Sequence, residues 1–205
     1  MSAVAFPSLH SPGDPSVPTL FRLTVADYHE MGQRGILGPE DRVELLDGFL
    51  ANKPMQNSPH GSTIVRLTHE LIVATMTGGW QTRIRIPLTL DGSEPEPDAA
   101  LARGDRRTYD LRHPNGSEVG VVIEVSDSSL ASDRAFKGPI YARAAIPQYW
   151  IVNIPDRQIE VYTDPTGAIA IPEYAKRTDY SAPQSVPLML DGQTVALVPV
   201  ADLLP

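Results

Sequence analysis

The sequence predicts a single α/β domain, and two features in the middle of the chain carry that prediction. Residues 119–126 form a continuous, mostly β-branched run, which is typical of a strand buried on both faces of a sheet. Residues 148–153 form a second aromatic and β-branched strand. Between them, Asp133, Lys137 and Tyr141 have the i, i+4, i+8 spacing of one helix face. A strand–helix–strand unit of about 35 residues implies a right-handed crossover between parallel strands.

Composition indicates a globular domain in a reducing environment. The 205 residues suffice for one domain with a sizeable core, and 41% hydrophobic with 20% charged residues is a globular balance. The sequence contains no cysteine, which excludes disulfides, thiolate zinc sites and thiol nucleophiles, so we expect a cytoplasmic protein. No basic segment followed by an apolar core opens the chain, and no apolar run approaches about 18 residues. Neither a signal peptide nor a membrane span is therefore expected.

The net charge of −8 limits the ways in which this chain can meet nucleic acid. Broad electrostatic binding relies on clusters of Lys and Arg, and the acidic balance argues against it. A phosphodiester substrate that is met through metal ions stays compatible with this charge, because the cations offset the repulsion.

The chain is predicted to begin with a tail, followed by a short helix. Residues 1–18 are rich in proline and serine and are expected to form a flexible tail. The single domain therefore spans residues 19–205. A capping pattern that begins at Thr24 predicts a helix over residues 25–32.

A hairpin and a longer helix come next. Asp47-Gly48 predicts a turn between strands at 43–46 and 49–55. The remaining predicted elements are a helix that begins after an N-cap at Ser58 and ends at 78–79, strands at 80–90 and 97–101, a polar loop at 103–118, weaker strands at 158–163, 168–174, 185–190 and 194–198, and a helical turn at 201–204.

Two carboxylates and a lysine are candidates for chemistry at one edge of the sheet. Asp98 lies just before a short predicted strand, and Glu124 interrupts the apolar run of the central strand, where a carboxylate loses its hydration. If the two strands are adjacent, these carboxylates repel each other, and a divalent cation such as Mg2+ resolves the repulsion. Lys137 could then orient an attacking water or offset phosphoryl charge. The alternative is a structural glutamate capped by local hydroxyls and a solvated lysine.

Other polar side chains have weaker signals. His60, in the first turn of the second predicted helix, could shuttle protons or contact phosphate, but a structural role is expected. Arg83 and Arg85 alternate on a predicted strand and could face a phosphate backbone, although a solvated sheet face is the expected outcome. His69 and His113 have no partners at metal-ligand spacing, so zinc is not expected.

Several motifs, taken in order, resemble a known family. These motifs are Leu23-Thr24 with Tyr28, residues 43–48, Ser58-Pro59-His60, Pro97-Asp98, residues 122–126, Asp133 with Lys137, and residues 141–152. With them the chain resembles the large bacterial family of putative restriction endonucleases, formerly a domain of unknown function, within the PD-(D/E)XK nuclease superfamily. The resemblance covers most of the chain. It implies a restriction-endonuclease-like fold, in which a mixed, curved β-sheet is flanked by helices.

The same resemblance implies a set of site residues. Asp98 and Glu124 correspond to metal ligands, and the Val125 carbonyl would supply a third oxygen. Glu44 matches an acid near the start of the fold and is expected to hold a metal-bound water. Mg2+ is the implied cofactor, and Mn2+ could replace it.

The lysine departs from the superfamily pattern. In the parent superfamily it lies two residues after the acid, where this chain has Ser126. The resemblance therefore implies a lysine that has migrated onto the next helix, which Lys137 supplies. Gly138-Pro139 directly after it is expected to disturb the helix interior. Asp127 replaces a proline that usually follows the strand in this family.

These implications describe a Mg2+-dependent endonuclease that hydrolyses phosphodiester bonds of nucleic acid, with DNA as the expected substrate. Asp98, Glu124, Lys137 and Glu44 are the expected catalytic residues. Two rivals stay open: a non-catalytic nucleic-acid-binding or assembly module that keeps the fold, and a metal-dependent hydrolase of a small phosphodiester. A homodimer is also compatible with the sequence.

Overall fold

The computed structural model describes residues 20–38, 40–76 and 78–205. The predicted flexible tail, residues 1–18, lies outside the described residues. The helices and strands are, in chain order, α1 (Val25–Gln33), β1 (Val43–Leu46), β2 (Phe49–Asn52), α2 (Ser58–Thr75), β3 (Trp80–Ile84), β4 (Ala99–Arg103), a 3-10 turn (Gly116–Glu118), β5 (Val119–Ser126), the three-residue α3 (Leu130–Ser132), a π turn (Asp133–Lys137), α4 (Gly138–Arg143), β6 (Gln148–Asn153), β7 (Gln158–Pro165), β8 (Tyr174–Ser181), β9 (Ser185–Leu190), β10 (Gln193–Pro199) and α5 (Val200–Leu203).

A mixed sheet forms the centre of the described part of the chain. Its six strands lie in the order β3-β4-β5-β6-β7-β8. β5 and β6 pair in parallel, and the other neighbours pair antiparallel. The parallel pair is the one joined by the helical crossover, because a tight hairpin cannot join parallel strands. The β1–β2 and β9–β10 hairpins lie outside this sheet. The predicted mixed sheet with flanking helices is therefore confirmed.

The two faces of β5 contact different layers. All eight of its residues are buried. Val121, Ile123 and Val125 belong to the core shared with α2, α5 and the β9–β10 hairpin. Alternation along the strand sends the residues between them to the opposite face, where Val122 packs with the apolar residues of α4. Glu124 has the same parity as Val122, so its carboxylate faces the crossover.

The first helix follows its predicted capping signal. The Thr24 side chain accepts the Asp27 N–H, and the Asp27 carboxylate accepts the Thr24 N–H at 2.8 Å, which completes the predicted capping box. In residues 20–38, 40–76 and 78–205, none of the helices combines the length and apolar character needed to cross a bilayer.

Two predicted strands differ most from the structure. The strand predicted at 80–90 ends at Ile84, because Arg85 has φ of +54°, a left-handed conformation that does not continue a strand. The strand predicted at 168–174 is wrong, since the chain pairs as β8 only from Tyr174 to Ser181. β8 is an edge strand with charged side chains, and a search for apolar alternation misses such a strand.

A buried carboxylate on β7 ties the π turn to the sheet. Glu160 is buried and accepts hydrogen bonds from Arg134 Nε at 2.9 Å, the Tyr162 hydroxyl at 2.7 Å and the Asn153 amide at 2.8 Å. Arg177 lies 3.3 Å away as a second cation. Burial alone would raise the pKa of Glu160, but the hydrogen bonds led by Arg134 outweigh it and hold the pKa at about 2.

We predict that Glu160→Gln lowers the free energy of unfolding by about 2–3 kcal/mol near neutral pH, because the folded pKa of about 2 lies below the ordinary value of 4.5. Since the pKa is depressed on folding, this stabilisation is complete above about pH 4.5 and is lost as pH falls towards about 2. Urea unfolding near neutral pH and at about pH 3.5 measures it. Glu173→Gln, at an exposed position, is the control. An equal effect of Glu160→Gln at both pH values would contradict the ion pair.

Candidate active site

The predicted catalytic residues line one cavity at the end of β5. Its volume is about 100 Å3. Glu44 from β1, Asp98 from the approach to β4, Glu124 from β5 and Lys137 from the π turn all line it. The pairing of β4 with β5 and the crossover that follows β5 bring Asp98, Glu124 and Lys137 to one place. Glu44 joins them from β1, where its Oε2 accepts the Glu96 N–H.

The antiparallel register of β4 and β5 fixes Asp98 at the end of the central strand. Ala99 pairs with Ile123, so the residue before Ala99 lies beside the last residues of β5. Asp98 Oδ2 accepts a hydrogen bond from the Val125 N–H at 2.8 Å. This bond takes the place of a main-chain hydrogen bond from Val125 to the neighbouring segment. Among the described residues, no group donates a hydrogen bond to the other oxygen, Asp98 Oδ1.

The main-chain oxygen of Val125 is also available at this position. The N–H and C=O of one strand residue point to the same side, so the Val125 carbonyl points towards β4, as its N–H does. Continuing the pairing of Ala99 with Ile123 by two residues puts Pro97 opposite Val125. Because proline has no N–H to donate, Pro97 leaves this carbonyl free for another partner.

Lys137 and Tyr141 meet Glu124 inside the crossover. Lys137 Nζ lies 3.0 Å from Glu124 Oε1 and 3.3 Å from Glu44 Oε1. The Tyr141 hydroxyl donates to the same Glu124 oxygen at 2.7 Å. These donors replace water that Glu124 loses on burial. The alternative of a solvated lysine is wrong, since Lys137 is 9% exposed. No described residue donates to Glu124 Oε2.

Negative charge exceeds positive charge in this cluster. Burial raises the pKa of Glu124 well above its usual value, against the opposing effect of Lys137. Burial alone would lower the pKa of Lys137, but the Glu124, Glu44 and Asp133 carboxylates outweigh it and raise this pKa. The two shifts have different main causes, which are the burial of the Glu124 carboxylate and the attraction of the Lys137 ammonium to the carboxylates around it. Lys137 is therefore charged, and a further cation would stabilise the cluster.

The π turn directs Lys137 into the cavity. The Gly138 N–H donates to the Asp133 carbonyl, which is the i to i+5 pattern of a π-helix. Pro139 then falls in the first turn of α4, where a missing N–H costs no helical hydrogen bond. Gly138-Pro139 interrupts the helix as expected, and the interruption leaves Lys137 buried against Glu124.

Sequence analysis missed the role of Asp133 as the residue that fixes this turn. Its carboxylate accepts the Ser126 and Ser129 hydroxyls, each at 2.6 Å. Its main-chain oxygen also accepts the Tyr149 hydroxyl at 3.1 Å. The signal that could have found it is the pair of hydroxyl residues between the end of the strand and the first turn of the crossover, where an aspartate can receive both.

The start of α2 also reaches the cavity. Its N-cap is Asn57 rather than the predicted Ser58, because Asn57 Oδ1 accepts the His60 N–H at 3.1 Å. The Asn57 amide donates to Asp127 as well, which links α2 to the end of β5. His60 Nε2 lies 3.2 Å from Asp98 Oδ2, and its buried Nδ1 has no partner among the described residues. His60 therefore supports the oxygen of Asp98 that the Val125 N–H also holds.

The oxygen atoms that remain available as metal ligands suit a hard divalent cation. Asp98 Oδ1, Glu124 Oε2 and the Val125 carbonyl are all oxygens, which Mg2+ prefers. Within the described residues, no group of three or more His, Cys, Asp or Glu side chains is arranged to hold a metal ion. Mg2+ does not need such a group, because it usually binds one or two carboxylates and keeps water and substrate phosphate as its other ligands. The residues present therefore fit Mg2+ that is bound together with substrate.

Comparison with known proteins agrees with the fold described above. A crystal structure of a putative nuclease belonging to DUF820 from Anabaena variabilis ATCC 29413 matches with a TM-score of 0.68 at 12% identity, over 88% of this chain and 97% of that chain. No curated protein matches the chain significantly. The family model described as putative restriction endonuclease matches residues 25–197. Because that match spans most of the chain, this protein belongs to the putative restriction endonuclease family.

Proposed function

We propose that this protein is a Mg2+-dependent endonuclease that hydrolyses phosphodiester bonds of nucleic acid, with DNA as its substrate. The observation that carries the proposal is the cavity at which Asp98, Glu124 and Lys137 meet. Each of the two acids keeps one oxygen free of donors from the described residues. Membership in the family supports nuclease activity. Mn2+ would serve in place of Mg2+, because carboxylate, carbonyl and water ligands suit both ions.

Asp98, Glu124 and the Val125 carbonyl would hold the cation, which when bound supplies a Lewis-acid charge next to the phosphoryl group. The Val125 N–H holds Asp98 through Oδ2, so that Oδ1 stays turned to the ligand. Tyr141 and Lys137 hold Glu124 through Oε1 in the same way. The two carboxylates therefore lose little side-chain conformational entropy when the ligand binds, because both are already fixed.

Lys137 and Glu44 would act on the substrate side of the cavity. Glu44 Oε2 accepts the Glu96 N–H at 3.0 Å, which leaves its other oxygen beside Lys137 Nζ. Lys137 is held charged by the surrounding carboxylates, so it is suited to offset charge on the phosphoryl group and not to accept a proton. Glu44 would orient a water molecule through Oε1, the oxygen that lies beside Lys137 Nζ.

The size of the cavity indicates which part of the substrate enters it. Its volume of about 100 Å3 is small beside the roughly 300–1,000 Å3 of pockets that enclose whole ligands. A phosphodiester group and a hydrated cation suit this space better than a nucleotide with its base. We therefore expect the bases to stay outside and cleavage to follow the backbone.

The absence of cysteine suits the cytoplasm as the place of action.

A second candidate function rests on the direct Lys137–Glu124 hydrogen bond. In a non-catalytic nucleic-acid-binding or assembly module, the ammonium would serve permanently as the counter-charge of the buried carboxylates. The fold would then be kept and the chemistry lost. Metal-dependent cleavage separates the two candidates, because the module binds without cutting.

We predict that the purified protein nicks supercoiled plasmid in Mg2+ or Mn2+ and not in EDTA. Asp98→Asn and Glu124→Gln should each lower the nicking rate by about two orders of magnitude or more, because each removes a ligand charge. Asp110→Asn, at an exposed position that lines a different pocket, is the matched control and should nick like the parent. Parental nicking by either site variant would contradict the assignment. No nicking by any of these proteins would favour the module.

The same site should also bind Mg2+ weakly in the absence of substrate, with water in place of the phosphate ligand. With a dissociation constant on the order of 1 mM, ~10 mM Mg2+ would stabilise the fold by about 1.4 kcal/mol, or roughly 3–6 °C in melting temperature. Asp98→Asn keeps an oxygen for the Val125 N–H and removes one repelling charge. We therefore expect it to melt no lower than the parent in EDTA and to show no metal-dependent shift. Melting curves at fixed ionic strength measure this, and equal shifts in both proteins would place the cation elsewhere.

For Lys137, two substitutions separate charge from position. Lys137→Met leaves buried carboxylates uncompensated, so it should lower the free energy of unfolding in EDTA by about 3–5 kcal/mol. Lys137→Arg keeps the charge and should retain most of the stability. Both variants should nick about a hundredfold more slowly than the parent. Lys137→Met lacks the charge, and the guanidinium of Lys137→Arg does not reproduce a point charge at this position. Urea unfolding and initial nicking rates measure the two effects. Parental nicking by Lys137→Arg would show that the placement of the ammonium is unimportant.

A further inference from the structure

Arg85 lies at the cavity and has no part in the constellation described so far. It follows β3 directly, and its N–H donates to the Asp98 carbonyl at 3.2 Å. Its exposed side chain lines the same cavity as Asp98 and Glu124. Arg83, two residues earlier, is instead 7% exposed, with its guanidinium 5.1 Å from the centre of the Tyr109 ring. The expectation that both arginines form one solvated sheet face is therefore wrong.

The backbone of Arg85 is held in an unfavourable conformation. Its φ of +54° lies in the left-handed region, which side chains other than Asn, Asp and Gly adopt at a cost in free energy. The conformation ends the pairing of β3 with β4 one residue after Ile84. Such strain persists only where the surroundings enforce it, and it is concentrated at sites that bind ligands.

The charge of Arg85 is unpaired, unlike the charges around it. Lys53 Nζ at the same cavity lies 2.7 Å from Glu96 Oε2, and Lys137 Nζ is bonded to Glu124. Among the described residues, nothing accepts a hydrogen bond or forms an ion pair with the Arg85 guanidinium. In a chain of net charge −8, an arginine that lies beside several carboxylates and pairs with none of them is available to an external anion.

We propose that Arg85 binds a backbone phosphate of the nucleic acid at the mouth of the cavity, next to the phosphodiester that enters it; this rests on the function proposed above. A guanidinium binds phosphate oxygens through two parallel hydrogen bonds. The small cavity accepts one phosphodiester, and Arg85 at its exposed rim takes another. The substrate therefore carries neighbouring phosphates, as a polynucleotide does, and is not a phosphodiester with a single phosphate.

The test is the equilibrium binding of a fluorescein-labelled DNA duplex, and of its single strand, in Ca2+ over a series of salt concentrations. Arg85→Asn removes the charge and substitutes a residue that tolerates φ > 0, so it should melt no lower than the parent. We expect it to bind DNA about tenfold more weakly and to lower the salt slope of the logarithmic affinity by about 0.9. Arg85→Lys should be intermediate, since it keeps the charge without the fork.

The matched control is Arg106→Asn, which removes an exposed arginine from a different pocket. It should bind DNA as the parent does. Parental affinity and slope in Arg85→Asn, or an equal loss in both variants, would overturn the proposal, because the effect would then be one of overall charge. A parent protein that binds neither DNA form would overturn it as well. DNA binding that depends on Arg85 in a protein that never nicks plasmid would contradict only the proposed function.

Discussion

The buried contact between Lys137 and Glu124 links the central strand to the crossover and shapes the cavity between them. A carboxylate in the middle of a fully buried strand is costly unless donors replace its water, and here an ammonium and the Tyr141 hydroxyl do so. Removing two charges from water is seldom repaid by their attraction alone. The sheet therefore keeps Glu124 at a cost, and the surrounding carboxylates of Glu44 and Asp98 raise that cost.

The crossover is shaped by the need to bring the ammonium to that carboxylate. Lys137 lies on a π turn and not on a continuous α-helix. The first two residues of this turn, Asp133 and Arg134, fix its position. Asp133 accepts the hydroxyls of Ser126, at the end of β5, and of Ser129, at the start of the crossover. Arg134 binds the buried Glu160 on β7. The side chains that stabilise the fold therefore also set the position of the proposed catalytic lysine. A substitution remote from the cavity, at Glu160, would act on both.

Sequence reasoning found the elements whose signals are local. Glu124 was recognisable because it breaks an apolar run, and Asp98 because it precedes a strand; their meeting, however, depends on the register of β4 and β5, which no local signal gives. Helical spacing placed Lys137 on the crossover, and Gly138-Pro139 indicated a disturbed helix there. The π form of that disturbance had no local signal, since Asp133 at its start is held by the hydroxyl of the distant Tyr149. The left-handed Arg85 had no signature at all, because a strained conformation is imposed by tertiary contacts against local preference.

A crystal structure of the protein grown with Mn2+ tests the central claim most directly. We expect an anomalous difference peak within about 2.5 Å of Asp98 Oδ1 and Glu124 Oε2, because oxygen ligands approach hard divalent cations to that distance. Lys137 should still lie beside Glu124 Oε1 in that structure, since the metal and the ammonium use different oxygens. A peak at other residues, or no peak at a Mn2+ concentration that raises the melting temperature, would contradict it.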